Sequence, residues 1–447
     1  MTGRVSDRPT LATMGAATRE LHAALDARAR VDGIAWLHPQ HRTIQRDLLG
    51  SPSVVAWQEA KAGFLIAGDG AWSELPHLYA RYGTPGTAAL IAALRGLEHA
   101  RCAVVTDCGM QAAALVCDAV MTAGSHAVVM RQIYNKTKTF FEWSAKRLGA
   151  TLSFIDDGDL AGLTAAITPA TRFVFAETFT NPLVRAQDVP ALRAAIDRSP
   201  APRAHLVIDG TIATPWAFTT PLLAQGATVV IGSLTKALGG QDLALGGYVA
   251  TDDAELGNTL MDLIAMRGGI LDDERARRVT AGLPAAERAH ARRCASATAV
   301  AAFLASHPRV ERVFHPSLPD HPDAAVIARS YQRHGSIVSF RVTGADELGH
   351  RHIADVLVSC GVLRYSLSFD GLATKVNHHK TVSEYFTPPE QVARLGIDRL
   401  IRIGVGIEEP EDLIACLDWT LREFDHVTTA DLDGWRAARA AELGLSW

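Results

Sequence analysis

The sequence predicts an α/β protein: a large domain on a mostly parallel sheet, then a smaller C-terminal α/β domain. Three observations predict it. From about residue 79 to 250, short apolar runs alternate with amphipathic helical stretches, the pattern of a parallel sheet covered on both faces. Tyr134, Asn181, Asp209 and Lys236 each fall just after one of these runs, and such sheets bind ligands beyond their strand carboxyl ends. Beyond Gly282-Leu-Pro284 a further set of strands and helices follows. The expected division is a helical arm at 1–78, a large domain at 79–281 and a small domain at 282–447.

The 447 residues suffice for two or three domains with a large core. Hydrophobic residues at 48% and charged residues at 21% are ordinary for a soluble globular chain. A net charge of −4 gives no basic field for nucleic acid or a membrane surface. No apolar run approaches the ~20 residues of a membrane span, and no charged-then-apolar export signal opens the chain. The six cysteines show no C-x-x-C pair and no metal-ligand spacing, so we expect no metal and a reducing, cytoplasmic setting.

Within the arm, residues 14–29 have helical periodicity, with Leu21, Ala24 and Leu25 on one face. His22, His38 and His41 read as scattered surface histidines rather than metal ligands. Tyr79-Ala-Arg81 precedes a Gly/Pro turn and a helix over Thr87–Leu97. Arginine forks onto phosphate and a tyrosine hydroxyl adds a third bond; an exposed aromatic beside a surface charge fits the segment equally.

The strand Ala103–Thr106 leads through Cys108-Gly109-Met110 into a helix over Ala112–Thr122. A helix N-terminus favours phosphate, and Gly109 lets one approach the backbone closely. After Ala127–Met130 comes Tyr134, placed to stack on a flat cofactor or simply to pack. The alternation continues through a helix at Thr139–Leu148, a strand at Thr151–Ile155, a helix at Leu160–Ala166 and a strand at Arg172–Ala176. Glu177-Thr-Phe-Thr-Asn181-Pro182 follows, with Asn181 held extended by its proline. A helix over Val189–Asp197 then precedes the run that ends in Asp209.

Thr228–Ile231 reads as a buried strand running into Ser233-Leu-Thr235-Lys236. A lysine and an aspartate at strand carboxyl ends are the pair a pyridoxal phosphate (PLP) enzyme needs. The lysine holds the aldehyde as a Schiff base and the aspartate keeps the pyridine nitrogen protonated. A solvated loop lysine and a helix-capping aspartate are the competing reading. Farther on, a helix is expected over Ala285–Leu304, strands over Gly335–Arg341 and Leu400–Ile407, and a helix over Leu413–Phe424. Arg402 lies inside an apolar strand, where a lone charge is costly, so it needs a protein or a substrate carboxylate.

Taken in order, Tyr79-x-Arg81, Cys108-Gly-Met110, Tyr134, Asn181-Pro182, Asp209-x-Thr211, Ser233-x-Thr235-Lys236 and Arg402-x-Gly-Val-Gly-Ile-Glu408 resemble the Cys/Met-metabolism PLP enzymes. These include the cystathionine lyases and γ-synthase and methionine γ-lyase, and the match covers roughly residues 78–425. The resemblance implies a fold-type I, aspartate aminotransferase-like architecture, usually a homotetramer, acting on a small amino acid. It implies Lys236 as the Schiff-base lysine and proton carrier, Asp209 on the pyridine nitrogen and Tyr134 stacked on the ring. Gly109, Met110, Ser233 and Thr235 are implied phosphate ligands, joined by Tyr79 and Arg81 from a neighbouring subunit. Asn181 and Thr211 line the cofactor, and Arg402 with Ser366 clamps the substrate α-carboxylate.

Arg81-Tyr-Gly-Thr84, Cys108-Gly109 and Tyr365 before Ser366 lean toward cystathionine β-lyase. The implied activity is elimination of a β- or γ-substituent, with γ-replacement on an activated homoserine, or a γ-lyase for a non-sulfur amino acid, as alternatives. The family's usual S-L/W-G-G-x-E-S-L stretch is Ser366-Leu-Ser-Phe-Asp-Gly-Leu-Ala373 here, and Thr374-Lys-Val-Asn-His-His-Lys380 stands where H-P-A is usual. Both departures fall around the expected substrate pocket.

Overall fold

The computed structural model describes residues 8–23, 80–239, 242, 244–384 and 387–445. The first sheet is built from β1 (Cys102–Thr106), β2 (His126–Met130), β3 (Thr151–Ile155), β4 (Thr171–Glu177), β5 (His205–Asp209), β6 (Val229–Ser233) and β7 (Gly247–Thr251). Its order is β1-β7-β6-β5-β4-β2-β3. Only β7 runs antiparallel to its neighbours, and the rest are parallel, as the alternation predicts. Val104, Val128, Val129, Val174, Leu206, Ile208, Val229 and Val230 are buried, which is why the strands read as continuous apolar runs rather than alternating ones. The carboxyl ends of β1, β2, β4, β5 and β6 therefore share one edge.

Helices cover this sheet: α1 (Pro85–Glu98), α2 (Gly109–Val120), α3 (Asn135–Leu148), α4 (Leu160–Ala166), α5 (Val189–Asp197) and α6 (Ala254–Arg267). Thr84, Asp159, Asp188 and Asp253 accept backbone N–H groups at the starts of α1, α4, α5 and α6. For α4 and α6 the capped start follows within a few residues of β3 and β7.

Helix α7 (Asp273–Ser306) is longer than the sequence predicts. The expectation was a break at Gly282-Leu-Pro284. The helix instead begins at Asp273, capped by Asp272, and carries Pro284 inside it. Proline removes one backbone donor, and the buried Leu283 and Ala286 beside it hold the helix against the core. The helix thus runs unbroken through the expected 281/282 boundary.

A second, largely antiparallel sheet follows in the order β10-β11-β12-β9-β8. Its strands are β8 (Val310–Phe314), β9 (Ile337–Val342), β10 (Arg364–Tyr365), β11 (Lys375–His378) and β12 (Ile401–Gly404). Helices α8 (Ala324–Ser330), α9 (Glu347–Ser359), α10 (His379–Ser383), α11 (Pro389–Leu395), α12 (Pro410–Glu423) and α13 (Thr429–Leu443) accompany it. Its own core gathers Val338, Phe340, Ile353, Leu357, Ile401, Ile403 and Leu417.

Residues 16–23 of the arm are helical and dock on this second unit. His22 is buried, not a surface histidine as expected: its Nε2 lies 3.1 Å from Glu408 Oε1 and its Nδ1 3.1 Å from Arg364. A single histidine carries no sequence signal for such a partner. His38 and His41 lie outside the described residues.

Candidate active site

The site sits where the shared edge of the first sheet meets the second unit. Lys236 follows β6 in a wide turn, Leu234–Leu238, in which its own backbone is non-helical (φ −91°, ψ −138°). Burial pulls its ammonium down to about 8; the nearby Arg402 and Lys375 add to this, and Asp370 and Asp242 oppose it. Asp209 ends β5, the neighbouring strand, and Oδ1 accepts the Thr211 N–H at 2.9 Å. Beside it, in register, Glu177 ends β4.

Glu177 is buried, and burial, then the Asp209 charge, raises its carboxyl well above the usual range. It accepts the backbone N–H of Tyr134 at 2.6 Å. That bond fixes the start of α3 and with it Tyr134, whose side chain is 47% exposed.

At the start of α2 the Cys108 side chain makes no capping bond. A Cβ at Gly109 would lie 2.9 Å from the Ser233 Cβ, so only glycine lets the α2 and β6 ends meet this closely. Thr211 Oγ1 accepts the Ser233 N–H at 2.9 Å, tying the β5 and β6 ends together. Thr235 Oγ1 accepts from Gly246 N at 3.1 Å. Gly109, Met110, Asn181, Asp209, Thr211, Ser233, Thr235 and Lys236 are all partly exposed at the ends of buried strands. An uncapped helix start, two hydroxyls, a carboxylate and a lysine poised near neutrality are the donor set a phosphate-bearing aldehyde requires.

Arg402 is 2% exposed on β12. Its Nη1 donates to Asn181 Oδ1 at 3.0 Å, and Nη2 donates to the carbonyls of Leu367 and Ser368 at 3.2 Å each. Its Nε has no partner among the described residues. No carboxylate lies within salt-bridge distance among the described residues, so the protein-carboxylate alternative is not met there. Phe369 lies beneath both cations, with its ring centre 4.7 Å from Lys236 Nζ and 5.5 Å from Arg402 Cζ.

Ser366 is joined to Lys236 and Arg402 through Ser368, which bonds both. The Ser366 hydroxyl accepts the Ser368 N–H at 3.1 Å, and its carbonyl accepts from Asn377. Tyr365 is half-exposed on β10, with Asp355 and Arg351 of α9 as its charged neighbours. Arg81 Nε donates to the Ala265 carbonyl at 2.8 Å. Tyr79 lies outside the described residues.

Glu177, Ser368, Phe369 and Asp370 went unnamed as site residues in the sequence. Glu177 ends an apolar run in a carboxylate just as Asp209 does, so its signal was present. Ser368, Phe369 and Asp370 lie in the stretch that departs from the family pattern, a signal of place but not of contact. Among the described residues no cluster of three or more His, Cys, Asp or Glu can hold a metal, and no helix is long and apolar enough to cross a membrane.

The family model described as Cys/Met metabolism PLP-dependent enzyme matches residues 58–422. An L-methionine gamma-lyase of Fusobacterium nucleatum subsp. polymorphum is 29% identical over 86% of this chain and 97% of its own length. A cystathionine gamma-synthase of Mycobacterium bovis is 33% identical over 77% of this chain and 86% of its own. An O-succinylhomoserine sulfhydrylase of Pseudomonas aeruginosa is 32% identical over 87% and 94%. The crystal structure of cystathionine gamma synthase from Xanthomonas oryzae pv. oryzae in complex with aminoacrylate and cysteine superposes with TM-score 0.73. It is 30% identical, covering 78% of this chain and 88% of that one.

Proposed function

The chain belongs to the Cys/Met metabolism PLP-dependent enzymes, and from that premise we propose that it eliminates a β- or γ-substituent from an L-amino acid, releasing an α-keto acid and ammonia. Its cofactor is pyridoxal 5'-phosphate, and its reaction class is β- or γ-elimination or replacement on Cys/Met-type amino acids. The observation that carries the finer reading is that Lys236, whose ammonium burial pulls down to about 8, shares the Phe369 ring with a buried Arg402 that has no carboxylate within salt-bridge distance among the described residues.

When bound, the cofactor supplies an aldehyde for the substrate amine and a ring that takes up the electron pair left at Cα. The α2 start at Gly109 and Met110, with Ser233 and Thr235, would hold its phosphate. Asp209 would keep the ring nitrogen protonated, and Tyr134 would cover the ring, with Asn181 and Thr211 alongside. Arg402 takes the substrate α-carboxylate, which desolvation makes a strong bond. That orients the Cα–H bond toward Lys236. Lys236, its ammonium pulled down to about 8 so that a large share is neutral at that pH, removes the α-proton. A γ-substituent requires a second proton to leave Cβ, and Lys236 or Tyr134 carries it. The same reading includes a homotetramer in which Tyr79 and Arg81 reach a neighbouring subunit's phosphate site.

A second reading is γ-replacement of an activated homoserine by a thiol, favoured by the similarity to the M. bovis cystathionine gamma-synthase and the P. aeruginosa O-succinylhomoserine sulfhydrylase. The test is a panel of amino acids given to the holoenzyme. Pyruvate from cystathionine or cystine supports β-elimination, and 2-ketobutyrate supports γ-elimination. A new thioether from O-acetyl- or O-succinylhomoserine plus a thiol supports replacement. No product from any sulfur amino acid directs the search to halogenated or otherwise activated substrates.

A further inference from the structure

Lys236 has one side-chain hydrogen-bond partner in the described structure, and it belongs to the divergent 366–373 stretch. Its Nζ lies 2.5 Å from Ser368 Oγ. The hydroxyl proton of Ser368 is directed elsewhere, to the Phe369 carbonyl at 3.3 Å. The serine oxygen therefore turns its lone pairs to the lysine and accepts from it. The residue is itself held on three sides. Its N–H donates to Ser366 Oγ at 3.1 Å, its carbonyl accepts from Arg402 Nη2 at 3.2 Å, and the Phe369 ring that follows lies under both cations.

We propose that Ser368 is a positioning residue for the reaction: its hydroxyl oxygen anchors one N–H of Lys236, so that the lone pair of the neutral amine is confined to a cone aimed away from the 366–369 segment. A neutral lysine has two N–H bonds and one lone pair, and a free four-carbon stem would let that lone pair wander. Fixing one N–H removes most of that freedom. After Lys236 takes the α-proton, Ser368 Oγ remains an acceptor, and the bond is stronger to the ammonium than to the amine. The contact thus persists through the transfer and stabilises its product. Backbone bonds from Leu367 and Ser368 to Arg402 place the anchor in register with the carboxylate site.

This rests on Lys236 being the cofactor lysine. The test uses the full-length holoenzyme and the variants Ser368→Ala and Ser368→Thr. Loss of a hydrogen bond to a charged group lowers kcat about tenfold or more in Ser368→Ala, with little change in KM. The missing acceptor also weakens the lysine's hold on its proton, so the acid limb of the kcat–pH profile moves to lower pH. Asp370, Arg402, Lys375 and Asp242, the charged groups that face Lys236, stay the same in every variant. Ser368→Thr keeps the oxygen and restores both rate and limb.

A second readout needs no turnover. The rate at which apoprotein captures the cofactor, followed by its absorbance, depends on neutral Lys236 and shifts with pH in the same direction. An unmoved limb in Ser368→Ala, or a Ser368→Thr variant no better than alanine, overturns the proposal. Borohydride trapping that still marks Lys236 in Ser368→Ala shows that the cofactor site stands even if the role of Ser368 falls. Trapping at another lysine in the unaltered protein removes the premise instead.

Discussion

Glu177 and Asp209 stand side by side at the ends of two parallel strands, in register, with the Tyr134 N–H bonded to Glu177 at 2.6 Å. Two neighbouring carboxyls with little water do not both ionise readily. Glu177 is the more enclosed of the pair, and burial together with the Asp209 charge drives it toward its neutral acid. Burial raises the Asp209 carboxyl too, but hydrogen bonds from Thr211 oppose that rise, so of the two Asp209 is the one that keeps the anion.

Glu177→Gln copies a neutral acid in shape and charge, so cofactor affinity and kcat stay close to those of the unaltered enzyme. Asp209→Asn removes the anion, and cofactor affinity or kcat falls about 10- to 100-fold, the worth of a charge-assisted hydrogen bond. Absorbance titration of apoprotein with cofactor, with steady-state rates, measures both. A severe defect in Glu177→Gln contradicts this assignment of the charge.

Arg402→Lys keeps a cation but loses the fork that bonds Asn181 and the loop carbonyls together. The substrate KM rises about tenfold or more while cofactor binding is preserved. A KM unchanged by this substitution means the α-carboxylate binds elsewhere.

Lys236 also predicts how stability varies with pH. Its value falls from 10.5 in an exposed chain to about 8 in the folded protein. Between these values the unfolded chain binds more protons, so this group's contribution makes stability rise as pH increases from about 8 toward 10.5. Below about 8 both states are protonated and the cost of burying the charge is constant. Urea denaturation of apoprotein across this window, compared with Lys236→Met, shows the rise only where the lysine is present.

Glu408 is buried and accepts from Thr374 N at 2.7 Å and Thr374 Oγ1 at 2.8 Å, as well as facing His22. It joins the arm to the strand that follows the 366–373 stretch. Glu408→Ala strands several buried polar groups and costs about 3 kcal/mol or more. His22→Ala removes one bond and costs about 1 to 2 kcal/mol. Denaturant midpoints of the two variants give the order; a larger loss for His22→Ala contradicts it.

Much of this was legible in the sequence, because buried parallel strands are unbroken apolar runs. The residues that end them, Glu177, Asp209 and Ser233, are marked by the change from apolar to polar. The continuation of α7 through Pro284 was not legible, since local propensity argues for a stop and only packing of Leu283 and Ala286 overrides it. His22 and Ser368 were hidden for a different reason. Each matters through a partner far along the chain, Glu408 and Lys236, and short-range pattern carries no record of such pairs.

The proposed reaction turns most directly on which lysine carries the cofactor. Purified holoenzyme reduced with borohydride, digested and examined by mass spectrometry reports that residue. The reduced cofactor is expected on the peptide containing Lys236, with Lys236→Ala devoid of both the label and turnover. A label on another lysine, or an active Lys236→Ala variant, contradicts this expectation.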